Sequence, residues 1–165
     1  MSEIKSVLVT GSAGRVGQAV VLELLRRGHL VKGFDRDPSP NLEQAHVADL
    51  FDTDALAEAM ADVDCLVHLA ATPDDVEDPV NDLFPPNITG LYHVLETARA
   101  AGIQRIILAS SGQVNWHQQQ SGPWPVNDSM PVSPKAWYAA TKMFLESIGY
   151  SYSANHGISV IITRL

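Results

Sequence analysis

Apolar residues recur along this chain in two rhythms. Apolar-rich runs at residues 7–9, 30–34, 64–69, 105–109 and 158–163 read as strands, those at 7–9 and 64–69 as buried ones, with a shorter strand at 45–48. Between them the apolar positions recur at helical spacing. The first helix carries Val16, Val20, Val21, Leu24 and Leu25 on one face and stops at Gly28. Asp52 or Thr53 caps a second that runs to about Ala61, and a third starts near Asn87 and ends at Gly102. Ser133 supplies an N-cap and Pro134 a first-turn proline for a fourth, from Lys135 to about Asn155, which Gly157 ends.

Three stretches break the rhythm. Residues 36–41 carry two prolines and read as a loop. Residues 72–86 crowd Asp74, Asp75, Glu77, Asp78 and Asp82 among four prolines, which predicts a solvated surface loop. Residues 112–134 hold Trp116, Trp124 and several prolines without periodicity, a length of loop that is usually functional or disordered. Strands alternating with helices at this spacing predict an α/β domain with a parallel sheet wound on both faces. In such sheets ligands lie outside the carboxyl ends of the strands, which puts the segments ending in Thr10, Asp35, Ala70-Ala71 and Ser110-Ser111 on one edge.

Bulk properties narrow this picture. A chain of 165 residues, 45% hydrophobic and 18% charged, makes one globular domain, 1–165. A net charge of −8 disfavours nucleic acid and anionic membrane as partners, and no run of 18 apolar residues exists to span a bilayer. The first residues lead into the first strand without a signal-peptide pattern. The single cysteine, Cys65, sits in an apolar run as a core residue and fits a reducing cytoplasm. The six histidines are dispersed, so no metal site is expected.

Candidate chemistry starts at Thr10-Gly11-Ser12-Ala13-Gly14-Arg15-Val16-Gly17, a glycine-rich turn from strand into helix. Such a turn lets backbone N–H groups and the positive end of the helix dipole face a pyrophosphate. Gly11 is expected to make the turn, Gly14 the close approach, and Gly17 the packing of helix on strand. Asp35 ends the second strand 18 residues after Gly17, where a ribose hydroxyl needs an acceptor. The loop lacks the Gly-Lys-[Ser/Thr] of a nucleotide triphosphatase. Later, Tyr138 and Lys142 stand four apart at the start of the last long helix, so phenol and ammonium share a face. A cation beside a tyrosine favours its phenolate, a base for a substrate hydroxyl.

Taken together these segments resemble the extended short-chain dehydrogenase/reductases, the NAD-dependent epimerase/dehydratase family. Residues 10–17 match its Thr-Gly-x-x-Gly-x-x-Gly, Asp35-Arg36 its ribose-binding strand end, and Asp49-Leu50 its adenine-binding pair. His68-Leu69-Ala70-Ala71 looks like the segment that lines the cofactor, Asn87-Ile88-Thr89-Gly90 like its Asn-x-x-Gly, and Ser110-Ser111 with Tyr138 and Lys142 complete the pattern. The resemblance implies a Rossmann-like doubly wound sheet that binds NAD, with NADP disfavoured by the Asp35 carboxylate and that preference softened by Arg36. It implies Tyr138 as acid/base, Lys142 lowering its pKa and holding the nicotinamide ribose, and Ser111 bonding the reacting oxygen. The activity implied is an oxidoreductase or epimerase passing hydride to or from a sugar, sugar acid or sugar-nucleotide alcohol.

Departures from the family pattern narrow that activity. Gly112-Gln113 stand where dehydratases carry Asp-Glu, and Val114-Asn115-Trp116 where many epimerases carry Val-Tyr-Gly. The segment after Ser110-Ser111 looks somewhat like uronate dehydrogenases. Relatives also have a smaller carboxyl-terminal part that binds substrate, which these 165 residues do not contain. The alternative is therefore an NAD(P)-binding sensor or scaffold, or a piece inactive without that part. Family members often form homodimers through the helices near Asn87 and Lys135, where Tyr92, Leu95, Phe144 and Ile148 could serve either such a face or the sheet.

Overall fold

The computed structural model of the chain describes residues 5–127 and 129–165. Six strands, β1 (Ser6–Thr10), β2 (Leu30–Asp35), β3 (Ala45–Val47), β4 (Cys65–His68), β5 (Arg105–Ser110) and β6 (Ser159–Arg164), form one parallel sheet in the order β3-β2-β1-β4-β5-β6. The order reverses direction between β1 and β4, which opens a crevice at their carboxyl ends. Helices α1 (Arg15–Arg26), α2 (Thr53–Met60), α3 (Leu91–Ala100), α4 (Trp116–Ser121) and α5 (Trp137–His156) make the crossovers and flanks.

Side chains alternate across each strand, and the two cores follow that alternation. Val7, Val9, Val31, Cys65 and Val67 face α1, where Val21 meets them. Leu8, Phe34, Leu66, Ile106 and Leu108 face the opposite way, onto Leu56 and Met60 of α2, Leu91, Val94 and Leu95 of α3, and Leu145 and Tyr152 of α5. Each such fully buried leucine contributes roughly 1.5–3 kcal/mol relative to exposure. Cys65 is a core residue as expected, its thiol pushed up to about 11 by burial. Of the four side chains that could serve a dimer face, Leu95 and Ile148 pack into the core while Tyr92 and Phe144 stay exposed. Turns after α1, α3 and α5 bend at Gly28, Gly102 and Gly157, on the sheet edge opposite the crevice.

Three expectations need correction. The stretch at residues 72–86 is not all loop, because wide π turns run Pro79–Leu83 and Pro85–Gly90 directly into α3. Asp78 accepts the Asn81 N–H and Pro79 occupies the first turn, while Pro85 and Pro86 lack the N–H groups of a regular α ladder. Residues 112–134 are not wholly irregular either: a 3₁₀ turn, Gly112–Asn115, leads into α4. Nor does Ser133 cap the last helix. Its hydroxyl donates to Gln118 Oε1 and accepts the His117 N–H, and α5 begins at Trp137 with Ala136 as its N-cap residue. Among the described residues no helix is long and apolar enough to cross a membrane, and no cluster of metal-ligating side chains occurs.

Candidate active site

The glycine turn is shaped by contacts that no side chain could share. Gly11 sits at φ +73°, and a Cβ there would lie 2.6 Å from the Ala70 backbone nitrogen. A Cβ on Gly17 would lie 2.0 Å from the Gly11 carbonyl oxygen, so this glycine lets α1 rest on its own entry turn. Gly14 differs. It is exposed, with only the Gly11 carbonyl within 4 Å of an added Cβ, and it opens onto the crevice. Gly14, the N-cap residue of α1, has no side chain, so among the described residues no cap bond occupies the first-turn N–H groups.

A cleft of about 470 Å³ lies over this turn, walled by the ends of β1, β2 and β4 and by the segments that follow β3 and β4. Of the residues singled out in the sequence, Gly11, Ala13, Gly14, Asp35, Arg36, Asp49, Leu50, Leu69, Ala70 and Ala71 line it. Asp35 reaches back to the turn: one oxygen accepts the Ala13 N–H at 2.9 Å and the other the Asp37 N–H at 3.2 Å. Ser12 and Gly17 lie beneath the surface, where the Ser12 hydroxyl pairs with that of Ser39 and ties residues 36–41 to the turn. Arg15 and Val16 are exposed on the first turn of α1, outside the lining. Thr72, Pro73, Asn81, Asp82, Pro85 and Pro86 also line the cleft, although their composition reads as solvated loop.

Ser111, Tyr138 and Lys142 come together beyond that lining. Lys142 is buried on α5 with Nζ 5.6 Å from the centre of the Tyr138 ring, and it donates to the Ala109 carbonyl at 2.9 Å. Burial pushes its ammonium down to about 8. The phenol of Tyr138 is held above its ordinary pKa, first by burial and then by the negative charge of Asp74. The Ser111 hydroxyl opposes both through a hydrogen bond that favours the phenolate. The lowering expected from Lys142 is thus not what sets this phenol: the ammonium is itself desolvated and turned to a carbonyl. His68, also fully buried, is kept neutral at about 3 by desolvation and by Lys142, with Nδ1 bonded to Thr10 Oγ1 at 2.7 Å. It is a core group beneath the site.

Two expected contributors serve as supports. Asn87 is buried, accepting the Thr72 N–H at 2.8 Å and donating to Thr72 O and Thr141 Oγ1 at 3.1 Å each. Ser110 donates its hydroxyl to Glu146, which also takes two bonds from Arg164 at 2.8 Å. Arg164 in turn donates to Asn115 Oδ1 at 2.6 Å. Burial works to raise the Glu146 carboxyl, but the bonds from Arg164 and Ser110 prevail and hold it below the usual range. This pairing fixes the ends of β5 and β6 against α5 beside Ser111. A network joining positions 110, 115, 146 and 164 leaves no local signal in the sequence.

An L-arabinose 1-dehydrogenase (NAD(P)(+)) of Haloferax volcanii is 33% identical over 171 aligned residues, covering 96% of this chain and 65% of that enzyme. A uronate dehydrogenase of Pseudomonas syringae pv. tomato is 29% identical over 163 residues, covering 96% of this chain and 58% of its own. Among solved structures, a short-chain dehydrogenase/reductase superfamily protein from Agrobacterium tumefaciens with bound NAD superposes with a TM-score of 0.88 at 34% identity, covering 96% of this chain and 48% of its own. The chain therefore spans about half to two thirds of the length of these relatives. Residues 7–165 match one family along their whole extent, and by that match the chain belongs to the NAD dependent epimerase/dehydratase family.

Proposed function

We propose that this chain is the cofactor-binding and catalytic part of an NAD-dependent dehydrogenase acting on a free sugar or sugar acid. The observation that carries the reading is the meeting of Ser111, Tyr138 and Lys142 beside a glycine-walled cleft with a carboxylate at its far strand end. The residues present fit a dinucleotide. The uncapped first turn of α1 and the open Gly14 suit a pyrophosphate, and Asp35 suits an adenosine ribose. Asp49 and Leu50 wall the same cleft and would flank the base. Asp35 favours NAD over NADP through repulsion of a 2′-phosphate.

Bound in this cleft, NAD⁺ supplies the hydride acceptor. Tyr138 takes the proton from the substrate hydroxyl as the carbonyl forms, and the Ser111 hydroxyl donates a hydrogen bond to the same oxygen. Lys142, anchored on the Ala109 carbonyl beside the Tyr138 ring, would hold the nicotinamide ribose, while the Ser111 hydroxyl is the group that favours the phenolate. Gly112-Gln113 offer no carboxyl pair for removal of water, and the named relatives include two dehydrogenases of unactivated sugars or sugar acids.

The test uses the full-length protein with NAD and a panel of aldoses, uronates and nucleotide-sugars. Tyr138→Phe should lower turnover about 10²–10⁴-fold while NAD affinity stays at the parental value. Parental turnover in that variant would overturn the reading. Saturable NAD binding with no turnover of any panel member by the parent would instead favour a cofactor-sensing module.

A further inference from the structure

We propose that Asp75, on the segment after β4, is a positioning residue that seats the turn of α5 carrying Tyr138; this rests on the reading of Tyr138 as the acid/base. The Asp75 carboxylate accepts the peptide N–H of Tyr138 at 2.7 Å across 63 residues of sequence. Tyr138 is the second residue of α5, and no side chain from the helix's own entry caps it: Ala136, its N-cap residue, makes no such bond. A carboxylate at a helix N-terminus gains from both the free N–H and the dipole. Asp75 is itself fixed, because Asp74 accepts its N–H at 3.0 Å from a backbone turn at φ +71°.

The other side of the same residue is held too. Thr141 Oγ1 donates to the Tyr138 carbonyl at 2.8 Å, and Asn87 donates to Thr141 Oγ1 at 3.1 Å while pairing with both backbone groups of Thr72. Residues 72–75 thereby grip Tyr138 at its N–H through Asp75 and at its carbonyl through Asn87 and Thr141. Thr72 and Pro73 also line the cleft, so one short segment runs from the cofactor wall to the phenol. The phenol's place beside Ser111 and Lys142 follows from where this first turn of α5 is pinned. Asp75 is exposed, so its removal leaves the core intact.

The experiment compares Asp75→Ala and Asp75→Asn in the full-length protein, measuring kcat, KM for the sugar, NAD affinity by fluorescence titration, and the Tyr138 ring signal by NMR of labelled tyrosine. Asp75→Ala should lower kcat about 10- to 100-fold with KM and NAD affinity within about twofold, and should shift or broaden the Tyr138 signal. Asn keeps an acceptor oxygen and should restore kcat to within about threefold of the parent. A parental kcat and ring signal in Asp75→Ala, or an Asn variant as impaired as Ala, would overturn the proposal. Tyr138→Phe run alongside separates the two failures: if it alone loses turnover, only the role of Asp75 falls, and if it turns over normally the underlying reading falls.

Discussion

At the scale of single residues, the glycine turn divides shape from binding. An added methyl at Gly17 would meet the Gly11 carbonyl at 2.0 Å, backbone against backbone, with no flexible side chain to yield. Gly17→Ala should therefore cost at least about 1–3 kcal/mol, read as a shift of the denaturant midpoint. Gly14→Ala meets only one atom, at 3.3 Å, and its backbone at φ −69° suits alanine. That variant should stay within about 1 kcal/mol of the parent in stability yet bind NAD about tenfold or more weakly, because the methyl enters the pyrophosphate's approach. A second pair of effects concerns the phenol. Tyr138 acts as a base only when deprotonated, and burial with Asp74 holds its pKa up, so sugar oxidation should rise with pH through the neutral range. Asp74→Asn removes one raising charge and should move the rising limb of kcat/KM to lower pH. An unmoved limb would show that Asp74 does not act on Tyr138.

At the scale of elements, local signals worked where one element answers for itself. Asp52 caps α2 by accepting the Ala55 N–H at 3.0 Å, as its position before an apolar-periodic run implies, and Asp52→Ala should cost about 1 kcal/mol by thermal or chemical unfolding. The central strands β1 and β4 were legible for the same reason, since a run buried on both faces needs no partner to be recognised, whereas the edge strand β6 leaves Ile161 exposed. The start of α5 was not. Ser133-Pro134 has the form of a helix entry, but Ser133 is drawn off to Gln118 and His117, and the acceptor at the actual start comes from Asp75. Residues 79–86 escaped as well, because acids and prolines are loop residues on average, whereas here Asp78 caps and the π turns accommodate Pro85 and Pro86. The candidate site shows the same division. Glycine spacing, the acid at 35 and the pair 138/142 are short-range patterns, while the grip on Tyr138 depends on the tertiary bonds from Asp75 and Asn87.

At the scale of the whole molecule, the buried neutral His68 ties stability to pH. Its folded pKa of about 3 lies below the unfolded value near 6.5, so between these the unfolded chain binds a proton that the folded one refuses. Stability is thus lost as pH falls below about 6.5, with a slope approaching 1.4 kcal/mol per pH unit. Glu146 adds its own loss only lower, as acid approaches the carboxylate range. Denaturant titrations between pH 5 and 6.5 should show this slope in the parent and a flatter one in His68→Gln; equal slopes would assign it elsewhere. The sheet also has a side on which none of this chemistry occurs. Around Gly28, Gly102 and Gly157 nothing lies within 4 Å of an added Cβ, and all three bends are at the edge remote from the cleft. That edge is the natural place to attach a fluorophore, a surface tether or an inserted reporter domain, leaving the cleft undisturbed.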